Sequence, residues 1–321
     1  MISGTAPMAL MLRPLGLGDF LTGLPAYRAV ARAFPNHRIV LAAPRSLAAL
    51  AGLTGCLHDV ADSQPLRALA AHLHGADVAI DLHGRGPESH RVLLASRPRR
   101  LVAFRNEEIP QSAHGAVWRA DEHEVERWCR MLSHAGIPAE PSELDLAVPP
   151  VLVPRRIRGA TLIHPGAASE SRRWPVDRWA AVAAAEQRAG RRVIITGGGD
   201  DVERARAIAS AAQVSPTHVF AGRTTLRELA ALTAAAGRVV CGDTGVAHLA
   251  TAFRTPSVVL FGPIPPAWWG PPRERTYHRV LWAGRRGDPH AAEVDPGLLD
   301  ITPEAVIAEL RGLAERTEHV A

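Results

Sequence analysis

What most constrains the fold of this chain is a recurring unit. An apolar run long enough for one strand ends in a Gly-rich or polar turn, and residues at helical spacing follow. Residues 8–13 form the first such run; Pro14 stops it and Leu15-Gly16-Leu17-Gly18-Asp19 comes next. Leu24, Tyr27, Val30, Ala31 and Phe34 then recur at helical spacing until Pro35-Asn36. Residues 38–42 predict a second strand and 78–80 another, the latter ending in Asp81-Leu82-His83-Gly84. Strands alternating with helices predict parallel βαβ units.

A Pro-rich stretch without pattern, about 138–158, interrupts the alternation, which then restarts. Strands are expected at 161–164, 192–196, 238–241 and 257–261, and helices at 176–187, 201–212 and 303–315. The 321 residues, 47% hydrophobic, suffice for two ordinary cores. The expected division is 1–150, 151–302, and a C-terminal helix within 303–321 that packs back on the first domain. Ligands of open parallel sheets bind outside the carboxyl ends of the strands. Every Gly-rich turn here lies at such an end, so two sheets would bring their turns to one cleft.

The charge balance excludes more than it assigns. The net charge of +5 is mild, and all 37 basic residues are arginine. Aromatics are 5% and no nucleic-acid-binding motif is present, which argues against a nucleic-acid partner. Cys56, Cys129 and Cys241 are scattered without CxxC spacing, which disfavours a zinc cluster or disulfide framework and fits a cytoplasmic setting. No run approaches the roughly 20 apolar residues of a membrane span. Arg97, Arg99, Arg100, Arg105, Arg155, Arg156 and Arg158 leave room for a peripheral membrane contact, or are simply solvated.

The second half carries the more informative turns. In His164-Pro165-Gly166-Ala167-Ala168-Ser169, Gly166 would let backbone approach a ligand and Ser169 offers a hydroxyl. Arg172 and Arg173, just before Trp174-Pro175, suit phosphate or face solvent. In Cys241-Gly242-Asp243-Thr244-Gly245-Val246-Ala247-His248, a helix should open at Thr244-Gly245 and offer an anion site. Asp243 there either accepts from sugar hydroxyls or caps the helix, and His248 is either a ligand or packed in the core. In Thr196-Gly197-Gly198-Gly199-Asp200-Asp201-Val202-Glu203, the acidic residues meet a ribose or start a helix.

Taken in order with Leu260-Phe261-Gly262-Pro263, these segments resemble the heptosyltransferases of glycosyltransferase family 9, whose opening LGD motif is similar to Leu17-Gly18-Asp19. The resemblance implies an α/β chain of GT-B fold: two facing Rossmann-like domains with parallel sheets and an interdomain cleft. It implies that Asp19 is the general base. It places Arg172, or Arg173 beside it, on the donor diphosphate, although arginine stands where the family usually has lysine. It places Asp243, Thr244, Gly245 and His248 on the donor's phosphates and sugar, and an acidic residue, here Glu203, on the ribose. The nucleobase would lie near residues 221–225. Without the other motifs, Asp19 reads as a helix N-cap. Gly18, Asp81 and His83 would line the acceptor side, unless hydrogen bonds within the turn occupy them.

The implied reaction is inverting transfer of a sugar, by default heptose from ADP-heptose, to an acceptor hydroxyl. No cofactor and no metal are expected, because no strand-end DxD is present and fixed cations serve the diphosphate. The acceptor would be a glycan, a lipid-linked glycan or a small molecule, reached in the cytoplasm or at the inner face of the membrane. A nucleotide-sugar epimerase and a non-catalytic nucleotide-sugar-binding protein are the competing readings. Asp19 discriminates, since neither epimerisation nor mere binding requires a base to deprotonate an acceptor.

Overall fold

The computed structural model describes residues 7–317. The chain forms two compact units that divide between Ala147 and Val148, inside the Pro-rich stretch.

The first unit carries β1 (Met8–Leu12), β2 (Arg38–Ala43), β3 (Asp59–Asp62), β4 (Val78–Asp81) and β5 (Arg100–Val102). Its helices are α1 (Leu17–Thr22), α2 (Leu24–Ala33), α3 (Ala48–Ala51), α4 (Glu88–Ala95) and α5 (Glu124–His134). All strands are parallel, in the order β3-β2-β1-β4-β5. That is the dinucleotide-fold order, and it reverses direction between β1 and β4. One face of the sheet packs Leu10, Leu12, Val40, Ala42 and Ala79 against Leu69, Leu73 and Leu93.

The second unit carries β6 (Thr161–His164), β7 (Val193–Ile195), β8 (Arg238–Gly242), β9 (Ser257–Phe261) and β10 (His278–Trp282). Its helices are α6 (Val176–Arg188), α7 (Val202–Ala211), α8 (Leu226–Ala235), α9 (Gly245–Ala252), α10 (Pro266–Trp269), α11 (Pro296–Leu299) and α12 (Pro303–Thr317). The order β10-β9-β8-β6-β7 is again parallel and reverses between β6 and β8. Side chains alternate across this sheet. Ile163, Val193, Ile195, Val240 and Val258 face α6, α7 and α12. Leu162, Ile194, Val239, Cys241 and Val259 face α8 and α9. Both faces are covered, so the strands read as unbroken apolar runs.

Two features go beyond the sequence pattern. Val306, Leu310 and Leu313 of α12 join Trp179 and Val182 of α6 in the second unit's core, so this helix packs on that unit. Strands β3, β5 and β10 and helices α3, α4, α5, α8, α10 and α11 add elements that the sequence pattern did not give. All three strands are sheet edges. Short, half-buried edges need no continuous apolar run.

Candidate active site

Each sheet presents two strand ends on either side of its reversal point, where ligands of such folds bind. In the first unit these are the ends of β1 and β4. Strand β1 stops at Leu12, and the expected last residue, Arg13, is a buried arginine outside it. The turn ends at Gly16, the N-cap of α1, so Asp19 is not the cap as its isolated reading allowed. Asp19 lies one turn inside the helix, where its Oδ2 accepts the Gly16 N–H at 3.2 Å. Its Oδ1 is 3.5 Å from Arg13 Nη2, and the side chain keeps 25% of its exposure. Burial raises the pKa of this carboxylate, the Arg13 charge opposes that rise, and Glu124 adds to it. A partly buried, partly accessible carboxylate with a raised pKa has the properties of a proton acceptor.

At the end of β4, Asp81 is enclosed. Its Oδ1 accepts the His83 N–H at 2.8 Å, and its Oδ2 is 3.5 Å from His90 Nε2. Burial pushes Asp81 up to about 6. The turn's own hydrogen bonding thus occupies Oδ1 of Asp81, while its buried Oδ2 has no hydrogen-bond partner. Gly18 and His83 stay partly exposed. Burial, and then the Arg13 charge, lower the His83 pKa, which favours a neutral ring.

In the second unit the flanking ends are those of β6 and β8, with the β7 turn alongside. Gly166 follows β6 at a close approach: a Cβ there would fall 2.2 Å from Asp201 Oδ2. That same oxygen accepts the Gly198 N–H at 2.8 Å. Asp201 thus clasps the β6 turn to the Gly197-Gly198 turn. His164, buried behind Gly166, meets Thr196 Oγ1 at 3.0 Å, and burial drops its pKa to about 4.

The two arginines part company. Arg173 Nη1 bonds Glu170 at 2.5 Å, its Nε donates to the Ala167 carbonyl at 3.1 Å, and its Nη2 lies 3.8 Å from Asp201. It is tied into its own loop. Arg172 reaches over to the β8 end, with Nη1 at 3.5 Å from the Asp243 carbonyl and 3.8 Å from its Oδ2. Ser169 Oγ lies 3.4 Å from Arg172 Nε, and Ser169 itself donates to the Pro289 carbonyl. Trp174, buried between these arginines and α6, fixes the loop through Nε1 to the Ile301 carbonyl at 3.1 Å.

Asp243 is buried, which pushes it up to about 6 against the pull of Arg172. The cap of α9 is Thr244, not Asp243; no side chain caps this helix, and Gly245 is its first residue. Thr244 Oγ1 is buried with no hydrogen-bond partner. An uncapped N-terminus with an unbonded hydroxyl beside a guanidinium is suited to an anion. His248 lies a turn further on, its ring 6.0 Å from that of Trp269. Glu203 is the outlier, 85% exposed and paired with Arg206 at 2.7 Å. Among the described residues, no group of three or more His, Cys, Asp or Glu side chains is disposed to hold a metal ion.

Sequence reasoning missed Arg13, Glu124 and Asp201. Arg13 had a signal, as a charge at the end of an apolar run, where burial without a partner is costly. Asp201 stood in the acidic turn but was passed over for Glu203. Glu124 had none, since its partner Arg13 lies 111 residues away.

Three comparisons bear on this arrangement. The chain is 33% identical over 160 residues to lipopolysaccharide heptosyltransferase 2 of Escherichia coli K12, covering 46% of this chain and 44% of that protein. The chain thus spans less than half the length of the curated relatives it matches. Its structure is similar to that of E. coli ADP-heptose LPS heptosyltransferase II, with a TM-score of 0.76 at 23% identity over 97% of this chain and 99% of that one. It is also similar to E. coli heptosyltransferase WaaC with ADP, with a TM-score of 0.72 at 18% identity over 95% and 99% of the two chains. The fold is therefore the GT-B class that the motifs implied. The model of glycosyltransferase family 9 (heptosyltransferase) matches residues 111–290, more than half of the chain. The chain belongs to glycosyltransferase family 9.

Proposed function

We propose that this chain is an inverting, metal-independent glycosyltransferase that moves a heptose or related sugar from a nucleotide diphosphate, ADP by preference, to an acceptor hydroxyl. The observation that carries this reading is the junction of β6 and β8. There Arg172 reaches toward Asp243 beside the uncapped start of α9 and the unbonded Thr244 hydroxyl.

The chemistry asks for charge at the leaving group and a base at the nucleophile. A departing diphosphate is stabilised by Arg172 and by the N–H groups at Thr244 and Gly245. Such fixed donors need no reorganisation as charge develops, and they do the work a divalent ion would otherwise do. Asp243 accepts hydrogen bonds from sugar hydroxyls. The Gly166 and Gly197-Gly198 backbone, held by Asp201, brings the phosphates and ribose close. Asp19 takes the acceptor proton, which is worth roughly 10²–10⁴ in rate. A base acting on the acceptor hydroxyl, which itself attacks the sugar from the side opposite the departing diphosphate, gives inversion.

The acceptor in this reading is a glycan or lipid-linked glycan of lipopolysaccharide type, met in the cytoplasm or at the inner membrane face. No helix among the described residues is long and apolar enough to cross a membrane. Calorimetric titration with ADP, UDP, GDP and dTDP, each with and without EDTA, tests the donor half. Selective binding of one nucleotide, insensitive to EDTA, is the expected result. Binding that EDTA abolishes would remove metal independence, and no binding at all would remove the donor site.

A further inference from the structure

The base assigned above sits on an ion network that the reaction itself does not use. Arg13 is 1% exposed and engages all three guanidinium nitrogens. Its Nε donates to the Asp19 carbonyl at 2.6 Å and its Nη1 to the Leu82 carbonyl. Its Nη2 donates to Thr22 Oγ1 at 3.1 Å and to Glu124 Oε1 at 2.9 Å. The Trp128 ring lies under its plane, 5.0 Å from the guanidinium carbon. One buried side chain thus joins the end of β1, the first turn of α1, the end of β4 and the start of α5.

The charges around Asp19 balance only when it is ionised. Glu124 binds Arg13 with one oxygen and Arg127 with the other, and Trp128 Nε1 adds a bond at 2.7 Å. Two guanidiniums therefore share one buried carboxylate, and Asp19, 3.5 Å from Arg13, supplies the second negative charge. A buried cation without its anion is costly, so protonating Asp19 opposes the network. The tighter partner of Arg13 is Glu124. That bond holds the guanidinium back from a close pair with Asp19, whose carboxylate stays open to accept a proton.

We propose that Arg13 is a positioning residue for Asp19: it fixes the first turn of α1 and keeps the Asp19 carboxylate charged, while Glu124 stops it from closing on that carboxylate. This rests on the reading of Asp19 as the base. The other titratable groups coupled to Asp19 are His83 from the β4 turn, whose pKa burial and then the Arg13 charge lower, and Tyr27 of α2, whose pKa burial raises.

The test reads Asp19 directly. Full-length protein labelled with carboxyl-13C aspartate is titrated by NMR, the Asp19 signal being the one lost in Asp19→Asn. Arg13→Met should raise the Asp19 pKa by about one unit or more, and Glu124→Gln should lower it. Arg13→Lys, which keeps the charge, should leave it within about half a unit. In turnover of ADP-heptose with a heptose-free lipopolysaccharide core, the acid limb of the kcat profile should follow these shifts. KM for ADP-heptose should change by about twofold or less, since the donor groups lie on the other unit. An Asp19 pKa unmoved in both Arg13→Met and Glu124→Gln overturns the proposal. If Arg13→Met does not fold, Glu124→Gln decides alone: a lowered pKa supports it and an unmoved one overturns it. Full transfer by Asp19→Asn would instead remove the base reading, a failure separable from this one because the NMR titration needs no turnover.

Discussion

The two units hold their functional groups by different means. In the second unit the proposed donor groups come from turns a few residues long. Arg172 follows β6 within one loop, and Thr244-Gly245 follow β8 directly, offering backbone N–H groups, glycines and a helix terminus. In the first unit the single acid Asp19 depends on a buried cation, which in turn depends on a carboxylate from α5 more than one hundred residues away in sequence. A grip on phosphate can be built locally, because a helix N-terminus is already an anion site. A base needs a tuned environment, and the low-dielectric interior that tunes it must be assembled from distant elements.

The comparison can be broken at several points, the largest effect first. Asp19→Asn should lower transfer by about 10²–10⁴-fold and leave ADP affinity within a few-fold, as measured by turnover and calorimetry. Near wild-type transfer would end the assignment. Glu124→Ala leaves Arg13 and Arg127 buried without their shared carboxylate and should cost about 3–5 kcal/mol in unfolding free energy, seen as an early thermal transition. A loss near zero would mean that α5 does not anchor the first site. Arg172→Ala should weaken ADP binding by roughly 1.5–3 kcal/mol, with Arg172→Lys partly tolerated. Arg173→Ala should affect ADP less than Arg172→Ala, since its bonds stay within its own loop and with Asp201. The reverse order would exchange their roles.

The pH behaviour of Asp243 sharpens the contrast. Burial lifts its folded pKa to about 6, above that of a free carboxylate. The folded state therefore holds the proton more tightly than the unfolded chain does. This contribution is full below the ordinary carboxylate pKa and is lost as pH rises to about 6. Asp243→Asn should match the wild type near pH 4 and become more stable than it by roughly 1–3 kcal/mol at pH 7, read as diverging melting temperatures. Parallel pH profiles would mean that Asp243 is not held at that pKa. The smallest effect is expected at Glu203. It is exposed and paired with Arg206, so Glu203→Ala should change ADP affinity by about twofold or less, within surface-substitution range. A tenfold loss would place its carboxylate on the ribose after all.

Sequence legibility follows the same division. The strand-turn-helix units with continuous apolar runs were readable because both faces of those strands are covered, and the Gly-rich turns marked their carboxyl ends. Gly166 and Thr244-Gly245 were identifiable for the same reason. Strands β3, β5 and β10 are sheet edges without a continuous apolar run, and α5 lies in a stretch between the motif-bearing turns where no pattern is read. Sequence alone does not show that Ser89, His83 and His90 lie around Asp81. Asp201 and Glu203 stand two residues apart in one acidic turn, and only the packing of Gly166 against Asp201 separates them. The sequence did not show which unit the C-terminal helix covers, because its apolar stripe fits any core that needs covering.

The most direct test of the division of labour is hydrogen exchange of the full chain with and without ADP, followed by mass spectrometry. The account predicts protection in 165–174 and 243–249, where the β6 turn and the start of α9 would close on the diphosphate. Binding without protection in either segment would contradict it, because the donor would then be held somewhere other than Arg172 and Thr244.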